Sequence, residues 1–367
     1  MGGRGIQSRN GVAVGGLSEG AKTPHHHKPH TYVDSFTLVP HRAAPKVAKE
    51  ARMGHLTRNQ IGIVMICLGT GLITLNDMMF KALSGDYALY QIVFVRSLGG
   101  LLFSVVILQI EGGWRLLRTS MPWQHIARAL MVVVSNMAFF LAIAAMPLGL
   151  VSALFFVAPL LITILSIPVL GERVGVHRWA AVGVGFAGVA VMLLPEVLGK
   201  GLGVPGWSYA LPLIAALSYA GNQVMTRKLG VTSRASALAI YIQVMFLVVS
   251  VVFFVLLGQG QYAAGLTNES LVFLLRAWVW PAPDDVWVFL ALGLNVAAIA
   301  YCLSQAYRMA EAGVVAPFEY VALPLAVFWG WSVFGEIPGP FTWAGMVLIA
   351  GAGLYVVWRE RKSRKRD

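Results

Sequence analysis

AIAAMPLGLVSALFFVAPLLITILSIPVLGERVGVHRWAAVG, residues 142–183, and AYRMAEAGVVAPFEYVALPLAVFWGWSVFGEIPGPFTWAGMV, residues 306–347, align without a gap at a shift of 164. Ala142 meets Ala306, Gly149 meets Gly313, Val157-Ala158 meets Val321-Ala322, Gly171-Glu172 meets Gly335-Glu336, and Trp179 meets Trp343. An apolar chain gives chance matches, but not a shared Gly-Glu and a shared Trp at one offset. Fainter echoes at a shift of 146 set Asn76 opposite Asn222 and Lys81 opposite Arg227. The chain reads as two copies of one unit.

What the unit is follows from hydropathy. Of 367 residues, 57% are hydrophobic and 12% charged, mean hydropathy is +0.71, and the apolar residues run in blocks rather than amphipathic stripes. Crossing about 30 Å of hydrocarbon as a helix takes roughly 20 residues. Ten stretches qualify: 60–80, 88–108, 127–146, 150–170, 177–195, 208–226, 236–257, 286–306, 314–334 and 342–358. The fold class is therefore an all-α polytopic membrane protein of ten spans. It divides into a basic, disordered cytoplasmic tail (1–58), a first five-helix repeat (59–195), a second (206–358) and a basic cytoplasmic tail (359–367).

The net charge of +12 is topological information rather than a nucleic-acid signal. Basic residues gather in alternate loops: Arg115, Arg118 and Arg128; Arg173 and Arg178; Arg227, Lys228 and Arg234; Arg308; and the tail RERKSRKRD. The intervening loops hold only Lys81, Lys200 and Arg276. The positive-inside rule then puts both termini in the cytoplasm, and nine of the 11 tryptophans fall near span ends as an interfacial belt requires. Because five is odd, the second unit enters from the opposite face. Inverted repeats of this kind let two pseudo-equivalent halves exchange inward-open and outward-open states around a site near the midplane.

Outside the spans, residues 1–58 hold no apolar core of a signal peptide, and Met53 is an alternative start. His25, His26, His27 and His30 read as part of a flexible tail rather than a metal site. Cys67 and Cys302 are single and far apart, with no CxxC spacing, so no disulfide and no zinc site is expected.

Ala153–Pro195 and Ala316–Val357 resemble the paired domains of the EamA family, within the drug/metabolite transporter superfamily. The resemblance rests on a proline in the fourth helix of each half (Pro159, Pro324), a Gly-Glu at that helix's end (Gly171-Glu172, Gly335-Glu336), a following glycine-rich helix, and Arg96 in the second helix. It implies a ten-helix permease of a bacterial inner membrane and leaves the substrate open. The halves differ: Arg96 aligns with Met245, and about fifteen extra residues join spans 7 and 8.

Charged groups within spans mark the candidate site, since each costs about 2.5–3.5 kcal/mol at a helix centre unless it meets water or a partner. Arg96 lies about 13 Å along its helix from the outer end, near the midplane. Its planar fork suits a carboxylate or phosphate, and it is either a substrate anchor or half of a fixed ion pair. Asp77, with Asn76 beside it as a further substrate-binding candidate, and Glu319 either carry a coupling proton or neutralise Arg96, Asp77 alternatively forming a surface pair with Lys81; Tyr320, next to Glu319, either hydrogen-bonds substrate or packs in the core. Asn136 and Asn222 are cavity candidates or interhelical bridges. Glu172 and Glu336 read as structural or gating groups making equivalent closing contacts, either as caps or in ion pairs with loop bases such as Arg173 or Arg178. Pro159 and Pro324 interrupt their helices and supply kinks or hinges. Ala181/Gly185 and Gly183/Ala187 follow small-xxx-small spacing for helix contact. Leu271–Pro281 is an interfacial segment between spans 7 and 8, lying flat and covering the outer mouth or simply resting there.

The expected function is secondary transport of a small metabolite, with an amino acid or derivative among the candidates. No GxxxxGK[ST], HExxH or GxSxG occurs, so neither an ATP-driven step on this chain nor a membrane enzyme is expected, and no cofactor is called for. A non-transporting sensor or scaffold is the alternative class. Expected partners are the small-molecule substrate, the bilayer and a coupling proton, with no nucleic acid, in a monomer or homodimer.

Overall fold

The computed structural model describes residues 57–364 apart from 120, 172, 173, 230–234 and 311. Among them every regular element is helical. The chain enters α1 (Arg58–Leu83) through a capping box: Thr57 Oγ1 accepts the Gln60 N–H at 3.3 Å and Gln60 Oε1 accepts the Thr57 N–H at 2.7 Å. There follow α2 (Leu89–Glu111), α3 (Pro122–Ala145), α4 (Leu148–Phe155), α5 (Ala158–Leu170), α6 (Val176–Val197), α7 (Ala210–Leu229) and α8 (Ala235–Leu257). The short α9 (Glu269–Leu275) precedes α10 (Val286–Met309), α11 (Ala312–Val315), a 3-10 turn (Ala316–Val321), α12 (Ala322–Phe334) and α13 (Pro340–Arg364).

Eight of these runs are long and apolar enough to cross a membrane: α1, α2, α3, α4 with α5, α6, α8, α10 and α13. Large apolar side chains cover their outer faces, among them Leu102 (71% exposed), Val255 (74%) and Leu294 (73%), as lipid-facing surface must. The other two expected spans fall on α7, which carries Ser218, Asn222, Gln223 and Thr226, and on the run from α11 to the 13-residue α12.

Two expected continuous spans are broken. Pro159 offers no N–H, and the ladder slips at Phe156 and Val157, where the Val157 N–H bonds to Leu154 O at 3.3 Å, dividing α4 from α5. In the second half Pro317 sits in the 3-10 turn and Pro324 in the first turn of α12. Both interrupted helices end on a glycine at φ +69°, Gly171 and Gly335, a left-handed cap that a side chain would strain. At the far end α13 continues six residues past the expected limit of 358, because the charged tail begins with good helix formers.

Packing follows a paired pattern. α1 lies on α10 and α3 on α7; α2 pairs with α8 and α6 with α13; α5 packs on α7 and α12 on α1. Glycines permit the closest approaches. A Cβ on Gly99 would lie 2.6 Å from Gly293 Cα across α2 and α10, and one on Gly345 would lie 2.6 Å from Gly188 O across α13 and α6. Of the two small-residue faces on α6, Ala181/Gly185 is buried and abuts Leu160, whereas Gly183 and Ala187 are exposed and nothing approaches Gly183. Spacing alone does not choose which face of an apolar helix is covered.

The segment between α8 and α10 is part of the bundle rather than a surface float. Phe273 (1% exposed) and Ser270 (1%) are buried, and the Ser270 hydroxyl donates to Leu141 O at 2.6 Å. Gln91 pairs with the Val279 backbone in both directions at 2.5 and 3.2 Å, Tyr90 donates to Arg276 O at 2.8 Å, and Tyr87 donates to Asp285 at 2.6 Å.

The α6–α13 crossing gives a direct check. Gly345→Leu drives a side chain into Met192 and the Gly188 carbonyl, and should cost about 1–3 kcal/mol of overpacking. Gly183→Ala, facing open space, should be neutral or stabilising by up to ~1 kcal/mol. Thermal unfolding in detergent distinguishes them.

Candidate functional site

A cavity of about 360 Å³ lies inside the bundle, walled by α1, α2, α3, α4, α7, α10 and the proline-interrupted stretches 158–159 and 319–322. On α1 the wall is Thr70, Thr74 and Asp77, a stripe at helical spacing, with Asn76 at its edge. α3 contributes Ser135 and Asn136, then Phe139 and Phe140 one turn on; α4 contributes Ser152, Phe155 and Phe156. Arg96, Tyr219 and Glu319 complete the polar part. Pro159, beside the α4–α5 break, lines the cavity and is itself exposed.

Arg96 sits over three aromatic faces, its guanidinium carbon 5.6 Å from the Phe80 ring centre, 5.8 Å from Phe140 and 5.9 Å from Phe246. Phe80 and Phe140 are stacked at 3.7 Å and 4°. Such contacts stabilise a desolvated cation by about 2 kcal/mol. They satisfy none of its hydrogen bonds, and Nε and Nη1 are buried with no hydrogen-bond partner among the described residues. Asp77 is close enough for the two charges to interact, and it accepts from Asn76 Nδ2 at 3.4 Å. The charge of Glu319 reaches Tyr219 and Tyr320. Tyr219 accepts from Gln223 Nε2 at 2.9 Å and leans on Phe155 at 5.5 Å.

The structure thus gathers Arg96, Asp77, Asn76, Asn136, Glu319 and Pro159 around one space. It does not bring Asn222 or Tyr320 to that wall. Asn222 is buried on another face of α7, and the Tyr320 ring packs on Phe156 with its hydroxyl against Gly353. Pro324 lines a separate apolar groove with Trp331 and Trp343. Glu336 pairs with Lys81 at 2.5 Å; Arg173 lies outside the described residues. Glu172 lies outside the described residues. Cys67 and Cys302 are free thiols.

Missing from the sequence reading were Tyr219, the four phenylalanines and the small hydroxyls. The Thr70–Thr74–Asp77 stripe was a usable signal, being polar residues at helical spacing in an otherwise apolar helix. The aromatics carried none, because a phenylalanine in a span reads equally as lipid-facing.

A model of the EamA-like transporter family matches residues 60–194. A riboflavin transporter of Rhizobium johnstonii is 31% identical over 265 residues, 72% of this chain and 80% of its own length. The chain belongs to the EamA-like transporter family. An S-adenosylmethionine uptake transporter of Rickettsia prowazekii is 25% identical over 82% of this chain and 94% of its own. A crystal structure 17% identical in sequence, aligned over 83% of this chain and 98% of that one with a TM-score of 0.54, shares the fold. The protein is a multi-pass membrane transporter of small molecules, not an enzyme, and its bacterial relatives fit the inner membrane.

Not every buried amide belongs to the cavity. Asn295, 6% exposed on α10, donates to Leu72 O on α1 at 2.9 Å. Asn295→Leu should lower stability by about 0.6–1.7 kcal/mol in thermal unfolding and leave the substrate KM of the folded fraction unchanged.

Proposed function

We propose that the protein is a secondary transporter that moves a small metabolite by alternating access, with ten spans arranged as two inverted five-helix repeats and both termini cytoplasmic. The reciprocal packing supports this reading. The α1–α10 pair corresponds to α7–α3 under exchange of the halves, α2–α8 and α6–α13 map onto themselves, and α1–α12 corresponds to α7–α5. Two helices broken at equivalent points and capped by equivalent glycines agree with it.

The substrate joins a flat ring to an ionised or hydrogen-bonding tail, as an amino acid derivative can. The observation that carries this is the pairing of Arg96, whose Nε and Nη1 lack partners, with an aromatic wall in one cavity. A carboxylate or carbonyl accepts from the guanidinium, Asp77 and Glu319 meet cationic or donor groups, and the ring lies among Phe139, Phe155, Phe156 and Tyr219. The relatives' riboflavin and S-adenosylmethionine both have this build, a heteroaromatic system with a polar chain. Asp77 or Glu319 carries the coupling proton.

The test is uptake and counterflow of labelled riboflavin, S-adenosylmethionine and aromatic amino acids in proteoliposomes, with wild type and Arg96→Gln at matched folded yield. A hydrogen bond to a charged group contributes about 1.5–3 kcal/mol, so kcat/KM should fall at least ~10-fold in the variant. Equal transport by Arg96→Gln would make Arg96 a structural partner of Asp77 and remove the anchor from this reading.

A further inference from the structure

One end of the cavity is shut by a knot of contacts that draws on three separate parts of the chain. Lys81, in the last turn of α1, lies 2.5 Å from Glu336, immediately after α12, and donates to the Met146 carbonyl at 2.7 Å. The other oxygen of Glu336 accepts the Leu148 N–H at 3.0 Å. Met146 closes α3 and Leu148 opens α4, with Pro147 between them. The pair therefore satisfies backbone groups on either side of a tight turn that the two helices leave without intrahelical partners. The Phe334 ring lies under the ammonium at 5.3 Å.

The position of this knot gives it meaning. Asp77, on the cavity wall, is one helical turn from Lys81. Between them on α1 is Phe80, fully buried and stacked on the cavity-lining Phe140, and Leu148, whose N–H meets Glu336, is fully buried as well. Pro159, also on the cavity wall, is exposed. Opening the Lys81 end means parting α1 from α12 and from the α3–α4 turn, the three parts the pair ties together. Side-chain exposures of 10% for Lys81 and 21% for Glu336 leave water close enough to receive both charges when they part.

We propose that Lys81 and Glu336 are the gate of the outer end, closed in this conformation and broken in the outward-open one. The outer assignment follows the loop charges. The proposal rests on the reading of the cavity as the transport pathway, and its test reports closure whether or not any compound is carried, so a failed transport assay leaves it standing.

The experiment uses the full chain with Cys67→Ser and Cys302→Ser and a reporter, Ser152→Cys, on the cavity wall, exposed to a membrane-impermeant maleimide in intact cells and in inverted vesicles. With Lys81 and Glu336 present, the reporter should be protected in cells and labelled in inverted vesicles. Lys81→Gln or Glu336→Gln should raise labelling in cells about 10-fold. The double variant should label at least as fast as either single one, since each substitution removes the ion pair and a backbone contact of its own. Lys81→Arg should keep the protection, and a monodisperse profile with unchanged helical circular dichroism in detergent shows that each variant is folded. Protection in cells that survives both single substitutions overturns the gate, as does outside labelling of the parent as fast as that of the variants.

Discussion

A guanidinium held inside an apolar bundle constrains everything around it. Arg96 places a charged group inside the bundle, so its helix must be sheltered from lipid on that face. Phe80, Phe140 and Phe246 give its faces electron-rich surfaces while leaving its edge donors unmet. Asp77, on α1, lies close enough for the two charges to interact. The polar stripe Thr70–Thr74–Asp77 and the pair Ser135–Asn136 then fall on the same interior space. A cavity here is the consequence of one residue that hydrocarbon does not tolerate.

The interrupted helices answer a different constraint. Within a bilayer each free backbone group needs a partner, and non-helical backbone survives only where protein or water supplies one. The α4–α5 break and the 3-10 turn at 316–321 both contribute residues to the cavity wall, Phe156 and Pro159 in the first case and Glu319 in the second. Proline placed at these points bends the wall and supplies polar surface together. The halves nevertheless diverge. The second lacks an arginine equivalent to Arg96 and adds the buried segment around Phe273, so one face of the bundle is stitched more firmly than the other.

The all-helical, multi-pass class was legible because hydrocarbon thickness translates directly into runs of apolar residues. Arg96, Asp77 and Glu319 were legible for a related reason: charges are conspicuous where the solvent is lipid. Side-chain direction was not. A span that is apolar all round shows no stripe from which to tell inside from outside, so Asn222 and Tyr320 looked like cavity residues and Tyr219 went unnoticed. Nor did Gly183 differ from Gly185 on paper. The Lys81–Glu336 contact joins residues 255 positions apart; only the packing of α1 against α12 brings them together. The prolines announced interruptions in α4–α5 and before α12, but not the turn at which the ladder slips, which lies just ahead of Pro159.

An interior optimised for stability would not leave Arg96 as it is. A buried donor without an acceptor costs about 1–3 kcal/mol, more for a charged group, and a hydroxyl or amide on any of several neighbours would have met it. Violations of this kind concentrate at functional sites, where local stability yields to binding. On the proposed reading of Arg96 as an anchor, a ligand that brings the acceptor would recover this cost, and that recovery would add to its affinity. A fully neutralised pair would bind the bundle together and attract nothing. The contrast with Lys81 and Glu336 makes the point: there each charge has its ion partner and a backbone contact besides, and the result is closure rather than recognition.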